Sequence, residues 1–107
     1  SLVGSEMCIR DRVYEDDTVV AFNDLDPQAP VHVLIIPKEH IASAAEINES
    51  NSAVVAHIFE VAAKIAAEKG LKDGFRIVNN CGDSAGQSVK HLHFHLMGGR
   101  DFGWPAG

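Results

Sequence analysis

The residues with the clearest capacity for chemistry are three histidines at alternate positions, in Val89-Lys90-His91-Leu92-His93-Phe94-His95-Leu96-Met97. Period two is the period of a β-strand, whose successive side chains point to opposite faces. The spacing predicts His91, His93 and His95 on one face and Leu92, Phe94 and Leu96 on the other. The apolar face can be sealed against a helix while the imidazole face opens into a site. Imidazole gains and loses its proton near neutral pH, so three on one face make a poor core and a good catalytic centre. Just upstream, Gly82-Asp83-Ser84-Ala85-Gly86-Gln87-Ser88 is a small polar turn able to present backbone N–H groups to an anion.

Three chemistries are open to such a strand. His-x-His is a common zinc donor pair, and a third alternate histidine would extend the ligand set. Against a metal, no Asp or Glu lies close in sequence to supply a carboxylate ligand. A solvated sheet face with idle histidines is the plainest alternative. Covalent catalysis on phosphorus is the third: a neutral imidazole attacks, and its neighbours hold the developing charge.

The elements that must position these residues fit in one domain of 107 residues, 46% of them hydrophobic and 22% charged. The formal net charge of -6 excludes a nucleic-acid partner, which would demand basic patches. Two cysteines, Cys8 and Cys81, are too few for a disulfide scaffold and point to a reducing compartment. No apolar run approaches the roughly 18 residues of a membrane span. The expected location is the cytoplasm, with no membrane partner.

Residues 1–12 lack clean periodicity, resemble a translated sequencing adapter, and read as a non-native or disordered leader before a domain at 13–107. Val13-Tyr14-Glu15 and Val19-Val20-Ala21-Phe22 read as two short strands around a turn. Asn23 to Pro30, with two prolines, is a loop. Val31-His32-Val33-Leu34-Ile35-Ile36 is a central strand covered on both faces and ended by Pro37. Ser43-Ala44-Ala45-Glu46 has capping-box spacing and predicts a short helix. From about Ser50 to Lys69, apolar residues recur every three or four positions, which predicts a long helix capped by Asn51 or Ser52 and closed at Gly70. Phe75-Arg76-Ile77-Val78-Asn79 is the next strand. Short connections favour an α+β fold: an antiparallel sheet of five strands with one long and one short helix. His40 and His57 read as surface or structural residues.

With these segments in place, the chain resembles the histidine-triad (HIT) superfamily, whose signature is His-φ-His-φ-His-φ-φ with φ apolar. It stands complete as His91-Leu92-His93-Phe94-His95-Leu96-Met97. Further shared segments are Phe22-Asn23-Asp24-Leu25, Pro27-Gln28-Ala29-Pro30-Val31-His32, Ile36-Pro37-Lys38-Glu39-His40 and Ala85-Gly86-Gln87-Ser88-Val89. The ending Gly98-Gly99-Arg100 with Trp104-Pro105 is similar to the Hint branch, the purine nucleoside phosphoramidases.

The resemblance implies roles residue by residue. His93 would be the nucleophile, flanked by His91 and His95, with His32 as a fourth histidine completing the proton network. Ser88 would help protonate the leaving amine. Asp24 would accept the ribose hydroxyls, and Phe22 with Leu25 would form part of the purine pocket. Asn80, Gly86 and Gln87 would lie by the phosphate or leaving group, and Trp104 near the substrate, though packing of the tail, across a dimer included, is the better account of it. Each has a plain counterpart: Phe22 and Leu25 as core, Asp24 as a turn former, His32 as a satisfied core residue. The implied substrate is an AMP- or GMP-like purine nucleotide, the implied assembly a homodimer, and neither a metal nor another cofactor is required. The family's N-terminal region, with a zinc-binding Cys-x-x-Cys in some bacterial members, is replaced here by residues 1–12 with a lone Cys8.

Overall fold

The computed structural model describes residues 11–107. Five strands form one antiparallel sheet: β1 (Arg12–Glu15), β2 (Val19–Asn23), β3 (Val31–Pro37), β4 (Phe75–Val78) and β5 (Phe94–Gly98), in the spatial order β1-β2-β3-β5-β4. One long helix, α1 (Ser52–Glu68), joins β3 to β4 in the chain. A 3-10 turn at Ala44–Glu46 is the short helix expected there, and its N-terminal Ser43 accepts a hydrogen bond from the Ala45 N–H at 3.2 Å. This is the expected α+β architecture, with the sheet carrying a helix on one face only.

Strand pairing fixes which side chains share a face. Phe22, Leu34, His95 and Val78 form one row across the sheet, and His32, Met97 and Arg76 another. All of these lie on the face away from α1. The opposite face presents Val19, Ala21, Val33, Ile35, Phe94 and Leu96, which join Ile58, Val61, Ala62, Ile65 and Ala66 of α1 in the main core. A second buried cluster of Val20, Phe22, Leu34 and Ile36 lies on the histidine side, so β3 is covered on both faces as its composition predicts.

α1 ends as anticipated, with Gly70 at φ +74° and the Leu71 N–H donating to the Ala66 carbonyl at 3.0 Å. Its start differs. Asn51 occupies the cap position without making a cap bond. Its carboxamide turns back instead, accepting from the Asn48 N–H at 2.8 Å and donating to the Glu46 carbonyl at 3.1 Å, so it is already committed to the preceding backbone.

The histidine strand is shorter than its alternation predicts. Pairing between β3 and β5 stops at Ile35 opposite Phe94. Continued by two pairs, the register would set Leu92 against Pro37, which has no N–H to give. The Leu92 N–H goes to the Ile41 carbonyl instead, at 2.6 Å, and the His93 carbonyl accepts from Asn79 Nδ2 at 2.9 Å. Of the three histidines only His95 is in the ladder, yet Leu92, Phe94 and Leu96 are all buried under α1. The apolar half of the alternation survives where the ladder does not.

β1 begins at Arg12, so the sheet takes in the last residue of the stretch expected to be a leader. An irregularity between Arg12 and Tyr14 turns both Arg12 and Glu15 to the histidine side, where Glu15 pairs with Arg12 and, at 2.6 Å, with Lys38. Residues 1–10, including Cys8, lie outside the described residues. Among the described residues no helix is long and apolar enough to cross a membrane.

Candidate active site

The site is assembled where β3, β5 and the approach to β5 meet on the uncovered side of the sheet. His32 reaches it from β3, buried, and His95 from β5, half-buried. His32 Nε2 and His95 Nδ1 are 2.9 Å apart, and the rings of His95 and His93 meet edge to face at 5.3 Å between centroids.

The hydrogen-bond partners determine where each proton resides. The Gln28 N–H can only donate, and it points at His32 Nδ1 from 3.0 Å. A neutral His32 therefore carries its proton on Nε2 and donates it to His95 Nδ1. His95 in turn bears its proton on Nε2. His93 Nδ1 faces the His91 carbonyl at 2.7 Å, an oxygen that can only accept, so a neutral His93 carries its proton on Nδ1. That leaves Nε2 of His93 as a free lone pair. The chain runs from a backbone amide through two neutral rings and ends beside an unprotonated nitrogen.

Burial keeps these rings neutral. It lowers the pKa of His32, against the opposing pull of the Asp24 and Asp26 charges. It also lowers His95, to about 4, helped by the positive charges that His93 and His32 would carry. Desolvation dominates both shifts.

His91 is elsewhere. Its Nε2 donates to the Pro37 carbonyl at 2.9 Å, and its Nδ1 lies 3.2 Å from His40 Nδ1. The expectation of three imidazoles flanking one another is corrected: the third ring beside His93 and His95 belongs to His32. His91 contributes its backbone carbonyl to the group and sends its ring to His40, because the chain leaves the ladder at that point.

Asp24 takes the turn-forming part foreseen for it and also faces the histidine cluster. Its Oδ1 accepts from the Asp26 N–H at 2.8 Å, shaping the turn, while Oδ2 stands 3.5 Å from His32 Nε2. Phe22 is buried in the second apolar cluster, and Leu25 is 59% exposed at the lip of the loop, so Leu25 is not core. Ser88 and Gly86 are exposed on the turn before His91, where Gly86 takes φ +90°. Asn80 is half-buried at the end of β4. Trp104 is 86% exposed and packs against nothing that would fix it as core.

Gln87 is corrected. Its side chain is buried and fully used: Oε1 accepts from the Gly82 N–H at 2.9 Å, and Nε2 donates to the carbonyls of Ala42 at 2.8 Å and Val89 at 3.0 Å. No donor remains for a substrate, and Gln87 holds the turn's shape instead. Two side chains act on partners that the sequence reading did not foresee. Asn79, not Asn80, braces His93 through its carbonyl. His40 pairs with His91. Nothing in either residue's local sequence marks it, since both act on a segment far along the chain.

Asp24, His32 and His95 could offer ligand atoms within 4.8 Å of one another to a metal ion. The donor geometry does not fit a resident metal. A cation between the rings needs lone pairs on both facing nitrogens, whereas the Gln28 N–H at His32 Nδ1 places a proton between them. Ligation would set two N–H donors against each other at Gln28.

An antiparallel sheet with a helix on one face and a histidine cluster on the other defines the class of the molecule as a histidine-triad fold. A family model for the HIT domain matches residues 9–102. A HIT-like protein of Synechococcus elongatus is 50% identical over 97 residues, spanning 91% of this chain and 85% of that one. The 14 kDa zinc-binding protein of Zea mays is 46% identical over 97 residues, 89% of this chain and 76% of that one. The crystal structure of a HIT family hydrolase from Legionella pneumophila superposes with a TM-score of 0.89 at 46% identity, covering 91% of this chain and 88% of that one. The chain belongs to the HIT domain family.

Proposed function

We propose that the protein is a hydrolase of the Hint type, cleaving the P–N bond of purine nucleoside 5'-phosphoramidates, or the acyl–phosphate bond of aminoacyl-adenylates, through a nucleotidyl-histidine intermediate. One observation carries this reading: His93 Nδ1–H is tied to the His91 carbonyl at 2.7 Å, which leaves Nε2 unprotonated and poised to attack. The likeness to a protein named a HIT family hydrolase supports it.

In the first step His93 Nε2 forms a bond to the α-phosphorus as the P–N bond breaks. The leaving amine takes a proton through the Ser88 hydroxyl, which gives one proton and receives one from solvent water, while His95 Nε2–H stays in place as a hydrogen-bond donor. Water then attacks the phosphorus, the N–P bond to His93 breaks, and the nucleoside monophosphate leaves. His95 Nε2–H and the Ser88 hydroxyl are the donors offered to the charge that develops on phosphate oxygens, since the N–H groups of Gly82, Ala85, Gly86 and Gln87 are spent within the turn. Asp24 takes the ribose hydroxyls, Phe22 and Leu25 line the purine side, Asn80 and Gly86 border the phosphate or leaving group, and Trp104 lies near the substrate. We further propose a homodimer, motivated by Phe59 and Phe75, which are 47% and 42% exposed.

The test is turnover of an adenosine 5'-phosphoramidate bearing a fluorescent amine, with and without a chelator, in the wild type, His93→Ala and Ser88→Ala. Amine release that survives chelation, vanishes in His93→Ala and persists measurably in Ser88→Ala is the expected result. Equal mild losses in both variants would sink the covalent scheme, and release stopped by the chelator would hand the histidines to a metal. Faster turnover of a diadenosine polyphosphate would make the protein a dinucleoside polyphosphate hydrolase. Nucleotide affinity without turnover would make it a binding module.

A further inference from the structure

We infer that His40 is a positioning residue for His93, acting through His91; the inference rests on the reading of His93 as nucleophile. The peptide unit joining His91 to Leu92 is the part that matters. Its carbonyl fixes the tautomer and the direction of the His93 ring at 2.7 Å. Its N–H donates to the Ile41 carbonyl at 2.6 Å. The residue that holds this unit from behind is thus the immediate neighbour of His40.

His40 itself holds the side chain. His91 Nε2–H donates to the Pro37 carbonyl, so the neutral His91 ring can only accept at Nδ1. The proton in the 3.2 Å contact between His91 Nδ1 and His40 Nδ1 therefore comes from His40. The two rings meet edge to face, with centroids 5.1 Å apart. With both nitrogens of His91 pinned, neither χ angle is free, and the Cα that carries the critical carbonyl has one place to be. His40 and Ile41 clamp the same peptide, one by ring and one by backbone, and the next residue, Ala42, takes the Gln87 amide at 2.8 Å. A three-residue segment outside the triad thereby holds both the nucleophile's support and the turn beside it.

The donor atom gives the test its discrimination. Asn at position 40 places an amide nitrogen one bond beyond Cγ, where His Nδ1 stands, whereas Gln places it one bond too far. We expect His40→Ala and His40→Gln to lower kcat about 10- to 100-fold, the scale of a slightly misplaced reacting group, with KM near wild type. His40→Asn restores most of the rate. His40 is exposed, so water can replace it at His91, and melting temperatures of all three variants stay near wild type.

A second readout needs no turnover. The His93 Nδ1 proton, bonded at 2.7 Å, gives a slowly exchanging imidazole resonance in a histidine-labelled NMR spectrum of the wild type. That resonance is lost or broadened in His40→Ala and His40→Gln and returns in His40→Asn. A wild type without turnover removes the proposed function and leaves this spectrum to decide the inference. A signal absent from the wild type, a signal unchanged in His40→Ala, or three variants that behave alike overturns it.

Discussion

At His95 the chemistry depends on a ring that refuses a proton. Burial holds its pKa at about 4, whereas a solvated imidazole protonates near 6.5. His95 therefore stays neutral, with its proton on Nε2, down to about pH 4. A pH profile of kcat/KM is expected to show no break from this residue between pH 8 and 5, and a His95 limb only near pH 4. Stability follows with the opposite consequence. Between about pH 6.5 and 4 the unfolded chain takes up a proton that the native ring rejects, so this ring destabilises the native state increasingly across that window. Denaturant midpoints measured at pH 7 and 4.5 should drop less in His95→Asn than in the wild type. Asp24 offers a separate test at the same scale. Hydrogen bonds to a charged group contribute about 1.5–3 kcal/mol, so Asp24→Asn should raise KM for a ribonucleotide about tenfold or more. A 2'-deoxy substrate should show little further loss in that variant; a full additional loss would remove Asp24 from the ribose. That His93 and His95 meet at one site was legible in the sequence, because alternation on a strand sends them to one face. The division of labour was not. It depends on Pro37 and Ile41, which interrupt the ladder from more than fifty positions away, and on a backbone amide at Gln28 that no side-chain pattern announces.

Elements were read more easily than their ends. Strands and helix followed from hydrophobic period, and Gly70 from the need for a left-handed residue, but the Asn51 carboxamide had competing backbone partners that only the folded loop brings near. The Gly82–Ser88 turn illustrates the same limit: its polarity suggested a phosphate cradle, while Gln87, buried within it, spends its side chain on the turn itself. Gln87→Leu leaves the Gly82 N–H and two carbonyls without that partner and should cost about 1–3 kcal/mol, with kcat reduced as the turn loosens. Chemical denaturation alongside kinetics checks both. A second junction ties α1 to the β1–β2 turn. His57 donates from Nε2 to Asp16 at 2.6 Å and from Nδ1 to Glu60 at 3.0 Å, a geometry that requires the imidazolium. Asp16, the largest influence, raises the His57 pKa, and the bond from His57 is likewise the first cause holding the Asp16 carboxyl below the usual range. The His57 contribution is full below about pH 6.5 and is lost as pH rises through its elevated native value; that of Asp16 is lost at strongly acid pH. The pair is about one-third exposed, so its contribution is at most about 1 kcal/mol. The Tm advantage of the wild type over His57→Gln should therefore be small, present at pH 6 and shrinking by pH 9; an advantage that grows with pH would contradict the imidazolium.

For the whole molecule, the consequence of carrying one helix on one face is that the other side of that helix is left in water. On α1 the exposed side presents Ala56, Phe59 and Ala63, small residues around one large ring, and Phe59 leans on Phe94 of β5 at 5.6 Å between centroids. β4 is an edge of the sheet, with unpaired backbone groups on its outer side and its first residue, Phe75, exposed. An edge strand with an apolar neighbour invites pairing with another copy. A second chain related by two-fold symmetry would cover helix and edge together, which is how one contact can reach the roughly 1,600 Å² of a stable interface. Sedimentation equilibrium at micromolar concentrations should give a mass of two chains for the wild type and one for Phe59→Glu, whose carboxylate would have to be buried against its symmetry mate. A wild type that sediments as one chain rejects the dimer. The same variant then separates two roles for Trp104, whose indole is left in solvent by its own chain. If the tail serves the site of the partner, the monomeric variant loses kcat/KM in step with Trp104→Ala, and adding the tryptophan change to it costs nothing more. If the tail serves its own site, the two losses add.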